Sequence, residues 1–142
     1  MATTLYTAHA ISTGGREGHV ESDNKRLSFD LSKPGKSGDG TNPEELFACG
    51  YAACFGGAVG FIAGQKKADA SKASVKADVS FNQDDKGFFL GVVLNVNLPG
   101  VDQSTAEQIV KEAHQMCPYS KATRGNINVE LRVNNAPLAK AA

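Results

Sequence analysis

The sequence has no tryptophan, few other aromatic residues and no net charge. Its 142 residues include 15 Lys and Arg against 15 Asp and Glu, and only 7% are aromatic. A neutral chain without a run of like charges lacks the attraction on which non-specific binding to nucleic acid or anionic membranes mainly rests. We therefore expect no nucleic-acid partner. The length suits one domain, residues 1–142.

Cysteine is also scarce, with three residues in the chain. This low count excludes a secreted scaffold held together by disulfides. Because the number is odd, at least one thiol is unpaired, which is typical of proteins in a reducing compartment. The first ten residues lack the basic and apolar regions of a signal peptide, so we expect a cytoplasmic protein. The cysteines and His9, His19 and His114 match no zinc or metalloprotease spacing, and neither a metal nor a bound cofactor is expected.

The longest uncharged segment is residues 46–64, LFACGYAACFGGAVGFIAG. Its length approaches that of a membrane span, and Gly56, Gly60 and Gly64 have the spacing of small residues in closely packed membrane helices. Large aliphatic residues are few, however, and the rest of the chain alternates polar and apolar residues. We interpret the segment as a central helix buried on nearly all sides, without membrane insertion. A second subunit would make such burial easier, which is a first indication of a dimer.

Hydrophobic periodicity predicts an α+β fold with a mainly antiparallel sheet, in the order β-β-β-α-β-β-α-β. Asn42 and Pro43 have the residue types of an N-cap and a first helical position, so the first helix is predicted from there to about Lys67. Ser104 and Glu107 form a capping-box pattern for the second helix, which Pro118 should end. The first strand is predicted over residues 5–12.

Four residues are candidates for chemistry, each with a simpler alternative. Cys54 and Cys117 are 63 residues apart and match no local redox motif, so each is equally well a small buried apolar residue. Arg16 lies in a glycine-flanked turn, where a solvated surface residue is expected. Glu44 lies in the first helical turn, where an acid complements the helix dipole. Cys49, five residues before Cys54, faces a different direction around the helix and is a weaker candidate.

Two segments closely resemble the organic hydroperoxide resistance (Ohr) proteins of the Ohr/OsmC family. They are residues 40–55, GTNPEELFACGYAACF, and residues 117–126, CPYSKATRGN. The resemblance extends from the Leu5 region to Ile127 and so covers nearly the whole chain. It implies an α+β fold with antiparallel sheets wrapped around a long central buried helix, in an intertwined homodimer with active sites at the subunit interface.

The resemblance also implies a function. Family members are thiol peroxidases that reduce organic and fatty-acid hydroperoxides to alcohols. By motif, Cys54 corresponds to the peroxidatic cysteine and Cys117 to the resolving cysteine, whereas Arg16 and Glu44 correspond to the pair that activates Cys54. The family's disulfide is re-reduced by dihydrolipoyl groups, either of lipoylated proteins or of dihydrolipoamide, as an external reductant. The sequence departs from the family pattern at Cys49, where alanine is usual, and at Lys121, where asparagine is usual.

The physical chemistry of these residue types makes the implied roles more specific. Only a thiolate attacks a peroxide effectively, but apolar surroundings raise a thiol's pKa, so a cation such as Arg16 is required. Glu44 is then expected to orient Arg16. Glu44 and Cys54 are ten residues apart, about 15 Å along one helix, so we expect the Arg16–Glu44 pair to serve the cysteine of the other subunit.

Aromatic residues beside the two cysteines are candidates for a substrate pocket. Phe55 and Tyr119 are expected to contribute to an apolar pocket for an alkyl chain. Two alternative functions remain open, namely an OsmC-type peroxidase with broader substrate use and a non-enzymatic thiol redox sensor.

Overall fold

A computed structural model of the protein describes residues 1–35 and 38–138. The chain forms two compact units, Met1–Leu46 and Phe47–Ala142. One helix, residues Pro43–Gln65, begins in the first unit and ends in the second.

The first unit contains an antiparallel sheet of three short strands: β1 (Ala10–Thr13), β2 (His19–Ser22) and β3 (Ser28–Asp30). A 3-10 helix at Gly15–Glu17 connects β1 and β2. The first strand begins at Ala10 rather than at Leu5, because β2 ends at Ser22, the partner of Ala10, and the backbone pairing ends with one further hydrogen bond from Asp23 N–H to the His9 carbonyl. Leu5 and Tyr6 are consequently exposed.

Helix α1 (Pro43–Gln65) begins as the sequence predicts. The Asn42 side chain accepts a hydrogen bond from the Glu45 backbone N–H at 2.8 Å, as expected of an N-cap. The sequence predicts a helix that is buried on nearly all sides, but within the single chain α1 is buried along one face only. That face carries Tyr51, Phe55, Val59 and Ile62. Outside this buried face, Phe61 is 54% exposed. By length and hydropathy α1 could span a membrane, but the core helix of a soluble protein meets the same test.

The second unit contains a four-stranded sheet in the order β4-β5-β6-β7. Its strands are β4 (Ser74–Asp84), β5 (Gly87–Asn97), β6 (Val129–Val133) and β7 (Ala136–Pro137). β4 and β5 form a long antiparallel hairpin, whereas β5 and β6 are parallel. The parallel pair arises because the chain leaves the end of β5, passes through two helices and enters β6 at the opposite end of the sheet, where β5 began.

The two helices of this crossover are α2 (Gln103–Met116) and α3 (Pro118–Thr123). The N-cap of α2 is Asp102, whose side chain accepts from the Thr105 backbone N–H, so the capping box predicted at Ser104 is wrong by two residues. Cys117 caps the C-terminus of α2, as predicted from Pro118. The buried core of the unit is formed by apolar residues of α1, β5, α2 and β6.

Candidate active site

The second unit brings Cys54 and Cys117 together from positions 63 residues apart in sequence. Their sulfur atoms are 3.5 Å apart, within range of an S–H···S contact with Cys117 as donor. Cys54 lies on α1 and is half-buried, and Cys117 lies at the α2–α3 corner and is fully buried. The two sulfurs are not joined by a disulfide bond. A disulfide could form here with a small approach of the two sulfurs, because an S–S bond measures about 2.05 Å.

Two neighbours act in opposite directions on the acidity of Cys54. Burial raises the pKa of the Cys54 thiol, and the adjacent Cys117 acts in the same direction. A hydrogen bond from the Tyr119 backbone N–H lowers it, because that donor favours the thiolate. The net effect is a Cys54 pKa above the ordinary thiol value, so an activated thiolate needs a positive charge in addition to these neighbours.

The first unit brings Arg16 and Glu44 together. The guanidinium donates two hydrogen bonds to the carboxylate, from Nη1 to Oε2 at 3.0 Å and from Nη2 to Oε1 at 2.7 Å. This bidentate contact fixes the plane of the guanidinium. It holds the pKa of Glu44 below its usual range, and Arg16 remains protonated. The turn that carries Arg16 requires glycine at position 18, because a β-carbon there would lie 1.8 Å from the Thr13 carbonyl oxygen.

Cys49 stands apart from the thiol pair. It is exposed on α1, whereas Cys54 faces Cys117. Cys49 and Cys54 therefore face different directions around α1, as their five-residue spacing predicts.

An apolar cavity of about 730 Å³ lies beside the α2–α3 corner. Tyr119 lines it, as expected, together with Phe47, Phe88 and Phe89. Phe55 does not line it: this side chain is fully buried in the core, so its assignment to the pocket was wrong. The aromatic residues at the start of β5 were not predicted as pocket residues, because alternation in a strand indicates a face but not what that face meets. The Tyr119 N–H was also missed, since a backbone donor leaves no signal in residue type.

The chain is similar to one family of known proteins over most of its length. The family model for OsmC-like proteins matches residues 35–132. The organic hydroperoxide resistance protein of Xanthomonas axonopodis pv. citri is 50% identical over 132 residues, which cover 89% of this chain and 93% of the relative.

Two crystal structures are similar over almost the whole chain. One is the organic hydroperoxide resistance protein OhrB of Bacillus subtilis, with a TM-score of 0.86, 43% identity, and coverage of 92% of this chain and 100% of that one. The other is an organic hydroperoxide resistance protein from Elizabethkingia anophelis, with a TM-score of 0.88, 46% identity, and coverage of 94% and 99%. By fold and by sequence, this chain belongs to the Ohr/OsmC family, among the organic hydroperoxide resistance proteins.

Proposed function

We propose that this protein is a cysteine-based peroxidase that reduces organic hydroperoxides to alcohols, with Cys54 as the attacking residue and Cys117 as the resolving residue. The observation that carries the proposal is the 3.5 Å separation of these two sulfurs beside an apolar cavity. A thiol cycle that closes an intramolecular disulfide needs two such sulfurs. The resistance to organic hydroperoxides for which the relatives are named supplies the substrate class.

The chemistry proceeds in two steps. The Cys54 thiolate attacks the terminal peroxide oxygen, the O–O bond breaks, and the alkoxide takes a proton and leaves as the alcohol, while Cys54 becomes a sulfenic acid. The Cys117 thiol then displaces the sulfenic oxygen, which leaves as water, and a Cys54–Cys117 disulfide forms. Rapid closure protects Cys54 from irreversible oxidation to sulfinic acid.

We further propose that Arg16 activates Cys54 and that Glu44 orients Arg16. A guanidinium favours both the thiolate and the developing alkoxide, and it cannot lose its proton. The raised pKa of Cys54 makes such a cation necessary. Because α1 is continuous from Pro43 to Gln65, Glu44 and Cys54 are separated by about 15 Å along its axis. The Arg16–Glu44 pair therefore serves the Cys54 of a second subunit in a homodimer.

The exposed face of α1 supports the dimer. It carries the exposed side chain of Phe61 together with three glycines, Gly57, Gly60 and Gly64. A β-carbon added at any of these glycines would meet no other atom within 4 Å, so this surface is uncovered in the single chain. A large exposed apolar side chain on a helix with so many small residues is typical of a surface that packs against another protein. A second copy of this chain is the proposed occupant.

The remaining features of the proposal concern substrate and turnover. The cavity accepts an alkyl or fatty-acid chain, which favours organic hydroperoxides over hydrogen peroxide. A dihydrolipoyl dithiol reduces the Cys54–Cys117 disulfide by exchange, so that its two thiols become the lipoyl disulfide and both protein thiols are restored. The cycle requires a reducing compartment, and we place the protein in the cytoplasm.

The test is stopped-flow oxidation by cumene hydroperoxide, followed by turnover with dihydrolipoamide. Cys54→Ser should abolish oxidation, and Cys117→Ser should permit one oxidation without turnover. Cys49→Ser is the matched control and should retain activity, because Cys49 is exposed and separate from the pair. Full peroxidase activity in Cys54→Ser would overturn the proposal.

A further inference from the structure

Behind the thiol pair lies a cluster of four buried polar side chains, Tyr51, His114, Ser120 and Thr123, here called the polar cluster. The Tyr51 hydroxyl is 2.8 Å from Ser120 Oγ and 3.1 Å from Thr123 Oγ1. His114 Nδ1 is 2.8 Å from Ser120 Oγ. All four side chains are at most 5% exposed. The cluster is therefore a closed set of hydrogen bonds inside an apolar core.

The polar cluster joins the three helices that carry the site. Tyr51 lies on α1, three residues before Cys54, and His114 lies on α2, three residues before Cys117. Ser120 lies on α3, three residues after Cys117, and hydrogen-bonds to both of the other helices. The Ser120 hydroxyl thus links α1 and α2 to α3, next to the corner at which the two sulfurs meet.

Arg124 reinforces the same corner from outside the cluster. Its guanidinium Nη1 donates to the His114 backbone carbonyl at 2.7 Å, which satisfies an acceptor in the last turn of α2. The Thr123 hydroxyl donates to the Ser120 carbonyl at 3.2 Å within α3. The Arg124 contact restricts movement of α3 relative to α2, whereas the Thr123 contact stiffens α3 itself.

The hydrogen bonds of the polar cluster contribute more to the position of α3 than to the stability of the core. Buried hydroxyl and imidazole groups gain little net stability from their hydrogen bonds, and apolar residues of similar size fill a core at least as well. Hydrogen bonds are directional, however, so they fix the rotation and translation of α3, which apolar contacts fix less sharply. The atoms held in place include the Cys117 sulfur and the Tyr119 N–H that contacts Cys54.

We propose that the polar cluster positions Cys117 for closure of the disulfide with Cys54, with Tyr51 and Ser120 as positioning residues. This inference rests on the proposed function only for the identity of the oxidant. The sulfurs must approach from 3.5 Å to about 2.05 Å. Loss of a hydroxyl that holds α3 against α1 widens the range of positions that Cys117 visits, and fewer of those positions permit attack.

The experiment uses 5,5′-dithiobis(2-nitrobenzoate) on the full chain in a Cys49→Ala background, because Cys49 is exposed and would also react. Cys54 releases one thionitrobenzoate on forming the mixed disulfide. Cys117 then attacks Cys54 and releases the second, at a first-order rate that is independent of reagent concentration. The second phase therefore measures how well Cys117 is placed, and Cys117→Ser should lack it.

Tyr51→Phe and Ser120→Ala should slow the second phase at least ten-fold while the first phase still occurs. Tyr6→Phe is the matched control, because it removes an exposed tyrosine hydroxyl elsewhere and should leave both phases unchanged. An unchanged second phase in folded Tyr51→Phe and Ser120→Ala would overturn the inference.

A second pair keeps the test decisive if those variants do not fold. Thr123→Val removes the hydroxyl and keeps the side-chain size, whereas Thr123→Ser keeps the hydroxyl. Only Thr123→Val should slow the second phase, and equal rates in the two would overturn the inference. The reagent is not a hydroperoxide, so failure of the wild-type protein to consume hydroperoxides would refute the proposed function without affecting this comparison.

Discussion

The side chain of Tyr119 occupies the space beside Gly50, so that a β-carbon at Gly50 would lie 2.7 Å from the Tyr119 hydroxyl oxygen. The tyrosine ring lies against α1, where its centroid is 6.1 Å from that of Phe47 and 5.7 Å from that of Tyr51. The absence of a side chain at Gly50 therefore sets the position of one wall of the apolar cavity.

Gly50→Ala should impair substrate binding without unfolding the protein. Alanine favours a helix by about 1 kcal/mol over glycine, which offsets part of the clash. The displaced Tyr119 ring narrows the cavity, and we expect KM for cumene hydroperoxide to rise about five-fold, equivalent to about 1 kcal/mol. Gly56→Ala is the control, since its β-carbon would meet Val75 at an ordinary 3.8 Å. Equal KM values in the two variants would contradict the prediction.

The rate at which Cys54 reacts should depend on pH through its thiolate. Since burial raises the pKa of Cys54, removal of the activating cation should move the midpoint of the reaction to higher pH. In a Cys49→Ala, Cys117→Ser background, iodoacetamide alkylation measured against pH reports this midpoint. We expect Arg16→Ala to shift it upwards and to lower the rate at pH 7 about ten-fold or more. Identical pH profiles would remove Arg16 from the activation mechanism.

The Arg16–Glu44 contact should also make stability depend on pH in one direction. Arg16 lowers the pKa of Glu44 in the folded protein, so the carboxylate contributes stability above its ordinary value of 4.5. That contribution is lost as the pH falls through the lowered folded-state pKa. Urea unfolding of wild type and Glu44→Gln should therefore differ at pH 7 and converge at acidic pH, by a small amount because Arg16 is half exposed. If the difference in unfolding free energy between the two proteins grew as the pH fell, the prediction would be contradicted.

Mixed subunits can test whether Arg16 acts across the dimer. Arg16→Ala and Cys54→Ser homodimers should each have little activity. If the pair serves the opposite subunit, a heterodimer of the two variants regains one complete site. Random reassortment of the mixture should then restore about a quarter of the wild-type activity. No recovery after verified exchange would place the four residues in one subunit.

Phe61→Glu should prevent dimer formation, because it places a charge on the exposed apolar face of α1. We expect a monomer by light scattering and a large loss of peroxidase activity, since each site would lack its Arg16–Glu44 pair. Phe61→Leu retains an apolar side chain and should remain dimeric and active. An active Phe61→Glu monomer would contradict both the dimer and the cross-subunit site.

The helices were the most predictable part of the fold, because their signals are local. Asn42 and Pro43 are adjacent in sequence to the helix they start, and Pro118 directly follows the residue that caps α2. The β7 strand was not predicted. Asn134 and Asn135 form the turn before it with positive φ values of 49° and 68°, which asparagine tolerates better than most residues. Two residues are too few to show an alternation pattern.

The candidate site was predictable only in part. The motif resemblance pointed to Cys54 and Cys117, and the structure places their sulfurs side by side. No pattern within the chain indicated that Ser120 hydrogen-bonds to both Tyr51 and His114, since this depends on how three helices pack. The parallel pairing of β5 with β6 was likewise invisible, because strand direction is a tertiary property.

That parallel pairing also bears on the order of folding. The β4–β5 hairpin is local, whereas β6 can join β5 only after residues 98–128 have been arranged as a crossover. Cys117 is carried on this crossover, and Cys54 on a helix far earlier in the chain. We therefore expect the thiol pair to assemble late, after the hairpin, so that a newly made chain exposes two separate thiols before it has a working site.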